Sequence, residues 1–236
     1  MTTTPGTVYA LRNLLGTPKH IIPFYLADNS GIGTLSRPES SVRPEHRIIY
    51  LQHHAAHIYL SGLSLAEMNQ RYLSTLGRNL SARSIGEEWI ELPDLYEFLQ
   101  HEVFRAAVEA MCGSFVLSLN PTLVEDFWNY DASIPSLVKG YPRWLAFNAH
   151  KARDKMLKSV KRWHGFANQF ADCTKTGPND PEWDPCWGSK LVKARQSYCL
   201  ATGVMDADAI ASEDLGLMFA YVLFIKVKDD SNSASI

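Results

Sequence analysis

Apolar residues recur every three to four positions through the middle of the chain, and sharp punctuation divides residues 89–170 into three such runs. That spacing places them along one face of an α-helix. The first run opens at Pro93-Asp94 with Glu97 three residues on, a capping-box arrangement in which each side chain can satisfy an orphan backbone donor. Leu95, Phe98, Leu99, Val103, Ala106, Ala107 and Ala110 form its stripe, and Gly113 suits a left-handed C-cap. The second run opens at Asn120-Pro121, a capping side chain and then a proline whose missing N–H is no loss there. Its stripe is Leu123, Phe127, Ile134 and Leu137, and Pro135 is expected to kink or end it. The third opens near Asn148 and aligns Ala152, Met156, Val160, Trp163, Ala167 and Phe170. Three core-building helices are predicted, with Leu95/Leu99/Val103, Leu123/Phe127/Ile134 and Met156/Val160/Trp163 packed together.

The flanks read the same way. Val8, Leu11, Leu14 and Leu15 predict a short helix, broken at Gly16-Thr17-Pro18 and followed by the apolar IIPFYLA. Residues 28–44 are rich in glycine, serine and proline, which marks a loop. A long helical region follows over about 45–80, interrupted near Gly62. Prolines, glycines and acidic residues mark 170–190 as a surface loop. A further helix is expected over 189–200, and a last one from near Asp206 with Leu215, Met218 and Phe219 on its apolar side. Residues 221–227 read as a β-rich run ahead of a polar tail. The fold class predicted is mainly α.

Composition narrows the class without naming a chemistry. At 236 residues the chain is long enough to bury a sizeable core, and 46% hydrophobic with 20% charged residues is ordinary for a soluble globular protein. A net charge of −2 supplies no electrostatic reason to expect nucleic acid. Cys112, Cys173, Cys186 and Cys199 form no CxxC pair, which favours reduced thiols in a cytoplasmic setting. The N-terminus has no apolar signal-peptide core, and the longest apolar run, 215–225, is too short to cross a bilayer. No transmembrane segment is therefore expected, and the chain as encoded reads as cytoplasmic. Asn79-Leu80-Ser81 is a glycosylation sequon, idle outside the secretory lumen.

Four stretches invite a chemical reading. In HHAAH, His53 and His57 share a helix face and two imidazoles there can bind a metal together, but His54 stands where a zinc protease has its glutamate base and no third ligand is evident. A polar surface or a cofactor-facing edge is the plainer reading, and no metal site is assigned. Gly31-Ile32-Gly33 hints at a phosphate loop, yet Ser36 replaces the third glycine, so a turn is expected. Glu102 and Arg105 are spaced for a surface ion pair within one helix. Lys151, Arg153, Lys155, Lys158, Lys161 and Arg162 against Asp154 give the third central helix a basic outer face. It is read as solvated, with contact to a membrane surface or an acidic partner as the sharper alternative.

The phrases EAMCGS, LNPTLVEDFW, Pro142-Arg143-Trp144, HKARDKMLKSVKRWH, DPEWDPCWGSKLVKARQ and ASEDLGLMFA together resemble fungal cytochrome P-450 monooxygenases, closest to the oxysterol-hydroxylase and prostacyclin-synthase type. The resemblance covers about 10–220 in uninterrupted order and leaves 221–236 as a divergent tail. It implies a single partial domain over 1–236: the N-terminal and central helical part of a P-450 fold, incomplete. It also implies haem as cofactor, NADPH through a reductase partner, a lipophilic sterol-like or secondary-metabolite substrate, and relatives on the endoplasmic reticulum membrane. Relatives place a basic residue of the segment matching LQHHAAH against a haem propionate, which makes His53 and His54 the cofactor-binding candidates. The family's axial thiolate comes from a loop Phe-x-x-Gly-x-x-x-Cys-x-Gly, and none of the four cysteines stands in one. No catalytic residue is therefore assigned, and the chain alone is expected to be inactive. The competing reading is a helical binding or interaction module without catalysis.

Overall fold

The computed structural model describes residues 5–83 and 91–233, with side chains for 6–83 and 91–220. Trp89, at the head of the expected central stretch, lies outside the described residues. The architecture is mainly α, as the periodicity predicts. Helix α1 (Pro5–Ala10) runs into a π-helical turn over Leu11–Leu15 that Gly16 closes. After α2 (Ile22–Ala27) and a loop come α3 (Ile48–Tyr59) and α4 (Gly62–Ala82), divided where the glycine marked a break. The centre holds α5 (Leu95–Cys112), α6 (Phe115–Leu119), α7 (Leu123–Val138) and α8 (Phe147–Phe170), and α9 (Lys190–Ala201) and α10 (Ala207–Ser233) follow.

The core forms where α5, α7 and α8 meet. Phe104, Phe127, Met156, Val160 and Trp163 have no exposed surface, and the Phe104 and Phe127 rings stack at 4.2 Å. Of the nine stripe residues expected inside, Leu95 and Leu99 are 58% and 46% exposed. Burial along α5 begins at Glu102, for periodicity identifies a face but not how far its neighbours cover it. Asp94 does cap α5, accepting the Glu97 N–H at 3.0 Å. Helix α7 starts later than expected, at Leu123 and without a side-chain cap, and Asn120 instead donates its amide to Val116 O and Ser159 O. Pro135 sits inside α7 without ending it, and three more helical residues follow.

Two further expectations change. The stretch after α8 is only partly a surface loop: Cys186, Trp187, Gly188 and Ser189 are buried. There β1 (Trp183–Asp184) pairs antiparallel with β2 (Gly188–Ser189), and Asp184 Oδ1 caps the turn by accepting the N–H groups of Cys186 and Trp187, each at 2.8 Å. The hairpin lies against the end of α5, where Gly113 and Gly188, both at positive φ, face each other so closely that a Cβ on either would strike backbone. Trp163 N–H donates to Cys186 O at 2.6 Å, tying hairpin to α8. Residues 221–227 are not a strand but continue α10. Extending a helix already formed adds a hydrogen bond per residue, whereas a lone strand needs a partner.

Candidate functional site

Ser212-Glu213-Asp214 is a polar triplet inside the apolar run 209–220 of α10, and all three residues are buried. Carboxylates in that position need partners, and four other helices supply them. Ser212 meets Thr17, beyond the first π-helical turn, at 3.1 Å. Glu213 accepts the Tyr25 hydroxyl from α2, the Gln52 amide from α3 at 2.6 Å and Arg195 Nη2 from α9 at 3.1 Å. Asp214 accepts Arg195 Nε at 3.2 Å, Gln196 Nε2 at 2.6 Å and His164 Nε2, from α8, at 3.0 Å. Burial pushes the Asp214 carboxyl up, but His164, Arg195 and Gln196 together outweigh it and hold the group below the usual range. Arg195 is correspondingly held charged: Tyr198, Asp214 and Glu213 outweigh the cost of its burial. Every carboxylate is occupied and shielded, so this cluster braces α10 against its neighbours and has no free group for acid–base work. Two adjacent acids in the apolar run AIASEDLGLMFA were its signal in the sequence.

The predicted site residues lie beside that brace, on α3. His53 and His54 both face solvent, as does His57. The structure separates the two candidates: His54 stacks on Tyr50 with ring centres 5.2 Å apart, and it lines an open groove of about 570 Å³ between α3 and α9. Tyr50, Leu51 and Tyr198 also line that groove; His53 does not. The Arg47 guanidinium at the head of α3 lies over the Tyr50 ring, 4.2 Å from its centre, and donates to Gly33 O at 2.6 Å and Thr34 O at 2.8 Å. The Gly31–Gly33 segment is therefore a turn held by a cation on its carbonyls, the opposite polarity from a phosphate loop.

The remaining candidates resolve into structural contacts. Glu102 does not pair with Arg105; it is buried and accepts Arg83 Nη2 at 2.6 Å and Nε at 2.9 Å, from the end of α4. The basic face of α8 is largely tied into the fold: Lys155 pairs with Asp126 and Lys161 with Asp208, each at 2.6 Å, and Arg153 donates to Asn13 O at 2.8 Å. All four cysteines are buried free thiols, and burial raises each thiol's pKa; Asp214 adds to this at Cys112 and Glu213 at Cys199. Asn79 of the sequon lies within α4, with its amide nitrogen shielded from water.

Known proteins decide the family. Cytochrome P-450 monooxygenase fsoE of Humicola fuscoatra is 35% identical over 187 residues, 78% of this chain and 32% of its own length. Cytochrome P-450 monooxygenase efuG of Hormonema carpetanum is 35% identical over 170 residues, 71% of the chain and 30% of that relative. Cytochrome P-450 monooxygenase calL of Penicillium decumbens is 26% identical over 196 residues, 80% of the chain and 35% of that relative. The chain belongs to the cytochrome P-450 family. It spans about a third of the length of these relatives. No protein-family model matches it, and no solved structure does.

A cytochrome P-450 implies haem, and the described residues offer donors that fit its carboxylates. Exposed imidazoles at His53 and His54 suit a propionate, which takes a charge-assisted hydrogen bond from a nearby donor. Among the described residues no group of three His, Cys, Asp or Glu side chains is placed to hold a metal ion. Among the described residues no helix is long and apolar enough to cross a membrane.

Proposed function

We propose that these residues are the N-terminal and central helical part, one partial domain, of a haem-dependent monooxygenase that hydroxylates a lipophilic, sterol-like or secondary-metabolite substrate. The observation that carries this reading is the 35% identity to two fungal monooxygenases across more than two thirds of the chain. Electrons come from NADPH through a reductase, and the complete enzyme works at the endoplasmic reticulum membrane. Haem supplies oxygen activation when bound. This chain's own contribution is scaffolding: His53 and His54 meet a propionate, and the Glu213–Asp214 brace sets α10 in register with α3. A purely non-catalytic interaction module has no observation in its favour.

None of Cys112, Cys173, Cys186 and Cys199 stands in a Phe-x-x-Gly-x-x-x-Cys-x-Gly loop, so on this reading these residues alone are not expected to hold haem through a thiolate. The test is to express it with haem precursor and record the reduced carbon monoxide spectrum. No far-red-shifted Soret band is expected, and no hydroxylation with a reductase present. A shifted band that disappears in a Cys112, Cys173, Cys186 or Cys199 to Ser variant would overturn the reading.

A further inference from the structure

Glu67 and Arg71 stand one turn apart on the same face of α4, in the order that favours an ion pair within a helix. Both side chains are exposed, yet they do not pair with each other. The Arg71 guanidinium lies instead over the Trp183 ring, 3.8 Å from its centre. A cation on an indole face gains at least as much as it would in an exposed ion pair, so the hairpin draws the arginine away from its neighbour. Stacking uses the flat face of the guanidinium and leaves its N–H edge for other contacts. An accessible carboxylate and an accessible cation are thereby held apart on one helix face.

Both residues line a cavity of about 480 Å³ between α4 and the hairpin. Its far wall is fixed in place. Trp183 donates its N–H to Glu109 O at 3.3 Å, and Glu182 takes Lys190 on one oxygen at 2.6 Å and Ser64 on the other at 3.0 Å. Lys190 matches the Glu182 charge, so the lining charges that act on a ligand are Glu67 and Arg71, one of each sign. Tyr59 and Met68 add apolar surface. We propose that this cavity binds a small zwitterion, with its oxyanion on the Arg71 fork and its ammonium on Glu67. A guanidinium edge presents two parallel donors at the spacing of two carboxylate or phosphate oxygens. A free α-amino acid and a phosphoethanolamine headgroup share the required chemistry. A ligand with a single charge is attracted by one of the two side chains and repelled by the other.

The experiment follows the Trp183 indole N–H and Arg71 Nε–H signals of the chain by nitrogen-15 NMR in mildly acidic buffer. The titrants, at matched ionic strength, are leucine, glycerophosphoethanolamine, N-acetylleucine and leucine amide. Leucine or glycerophosphoethanolamine is expected to shift both signals saturably, and the tighter of the two identifies the source of the ligand. N-acetylleucine lacks the cation and leucine amide lacks the carboxylate, so each should bind about tenfold more weakly or worse. Glu67→Gln and Arg71→Lys, both at exposed positions, should each weaken the zwitterion about tenfold while leaving the denaturation midpoint in place. Lysine at position 71 keeps the charge and loses the fork. No saturable shift, equal responses to all four titrants, or an affinity unchanged in Glu67→Gln would overturn the proposal. No step of the test involves haem, so its outcome is independent of the monooxygenase reading.

Discussion

Two parts of the interior are equally shielded from water and held by opposite means. Around Phe104, Phe127 and Trp163 the contacts are mainly apolar, with indole hydrogen bonds from Trp163 and Trp187, and their strength grows with the area removed from water whatever the exact orientation. Around Arg195, Glu213 and Asp214 the burial is unfavourable in itself, and only mutual pairing offsets it. The first region tolerates a loss at one place because its neighbours can partly close in. The second cannot, since removing one member strands the others. The apolar region gives α5, α7 and α8 a reason to collapse together; the ionic one dictates which faces of α2, α3, α8 and α9 meet α10.

The largest expected effect tests that interdependence. Arg195→Ala leaves Glu213 and Asp214 short of their shared cation and should cost about 5 kcal/mol in chemical denaturation, the upper end for breaking a buried pair. A loss below about 1 kcal/mol would put this cluster on the same footing as a surface network. Trp163→Ala comes next, at about 3–5 kcal/mol for the cavity; a cost under about 0.5 kcal/mol would show that the side chain is not buried in solution.

Acid separates the two regions without mutation. Asp214 has a folded-state pKa below the unfolded carboxylate value of about 3.9, so its stabilisation is complete above that value and disappears as the pH falls through the folded one. The chain should lose stability on acidification, and Asp214→Asn should flatten that decline when denaturation midpoints are compared at neutral and acid pH. An unchanged slope would assign the acid sensitivity to other carboxylates. The smallest effect belongs to the surface: Lys161→Ala, which removes the exposed pair with Asp208, should change stability by no more than about 0.5 kcal/mol.

Much of this was legible before any coordinates. The Asp94 cap, the interruption before Gly62, the helix opening at Phe147 and the stripe Met156, Val160, Trp163 all follow from local rules, because caps, glycine breaks and 3.6-residue periodicity act within a few residues. The rest depended on neighbours far along the chain. Glu102 and Arg105 have the spacing of a pair, yet Arg83 takes the glutamate because α4 packs there. The loop after α8 looked exposed by composition, but its Trp187 fills space between helices. His53 and His54 were indistinguishable by type, and only the packing of α3 against α9 put His54 alone on a groove.

The sequence by itself determined the helical class, most helix boundaries, the apolar faces and the family, since those are recorded in residue type and short-range order. Tertiary structure decided which charges pair and which cysteines are shielded. The reason is physical. A hydrophobic face can be satisfied by any apolar surface, whereas a charge needs a partner within a few ångströms, and which side chain arrives there is set only when the helices dock.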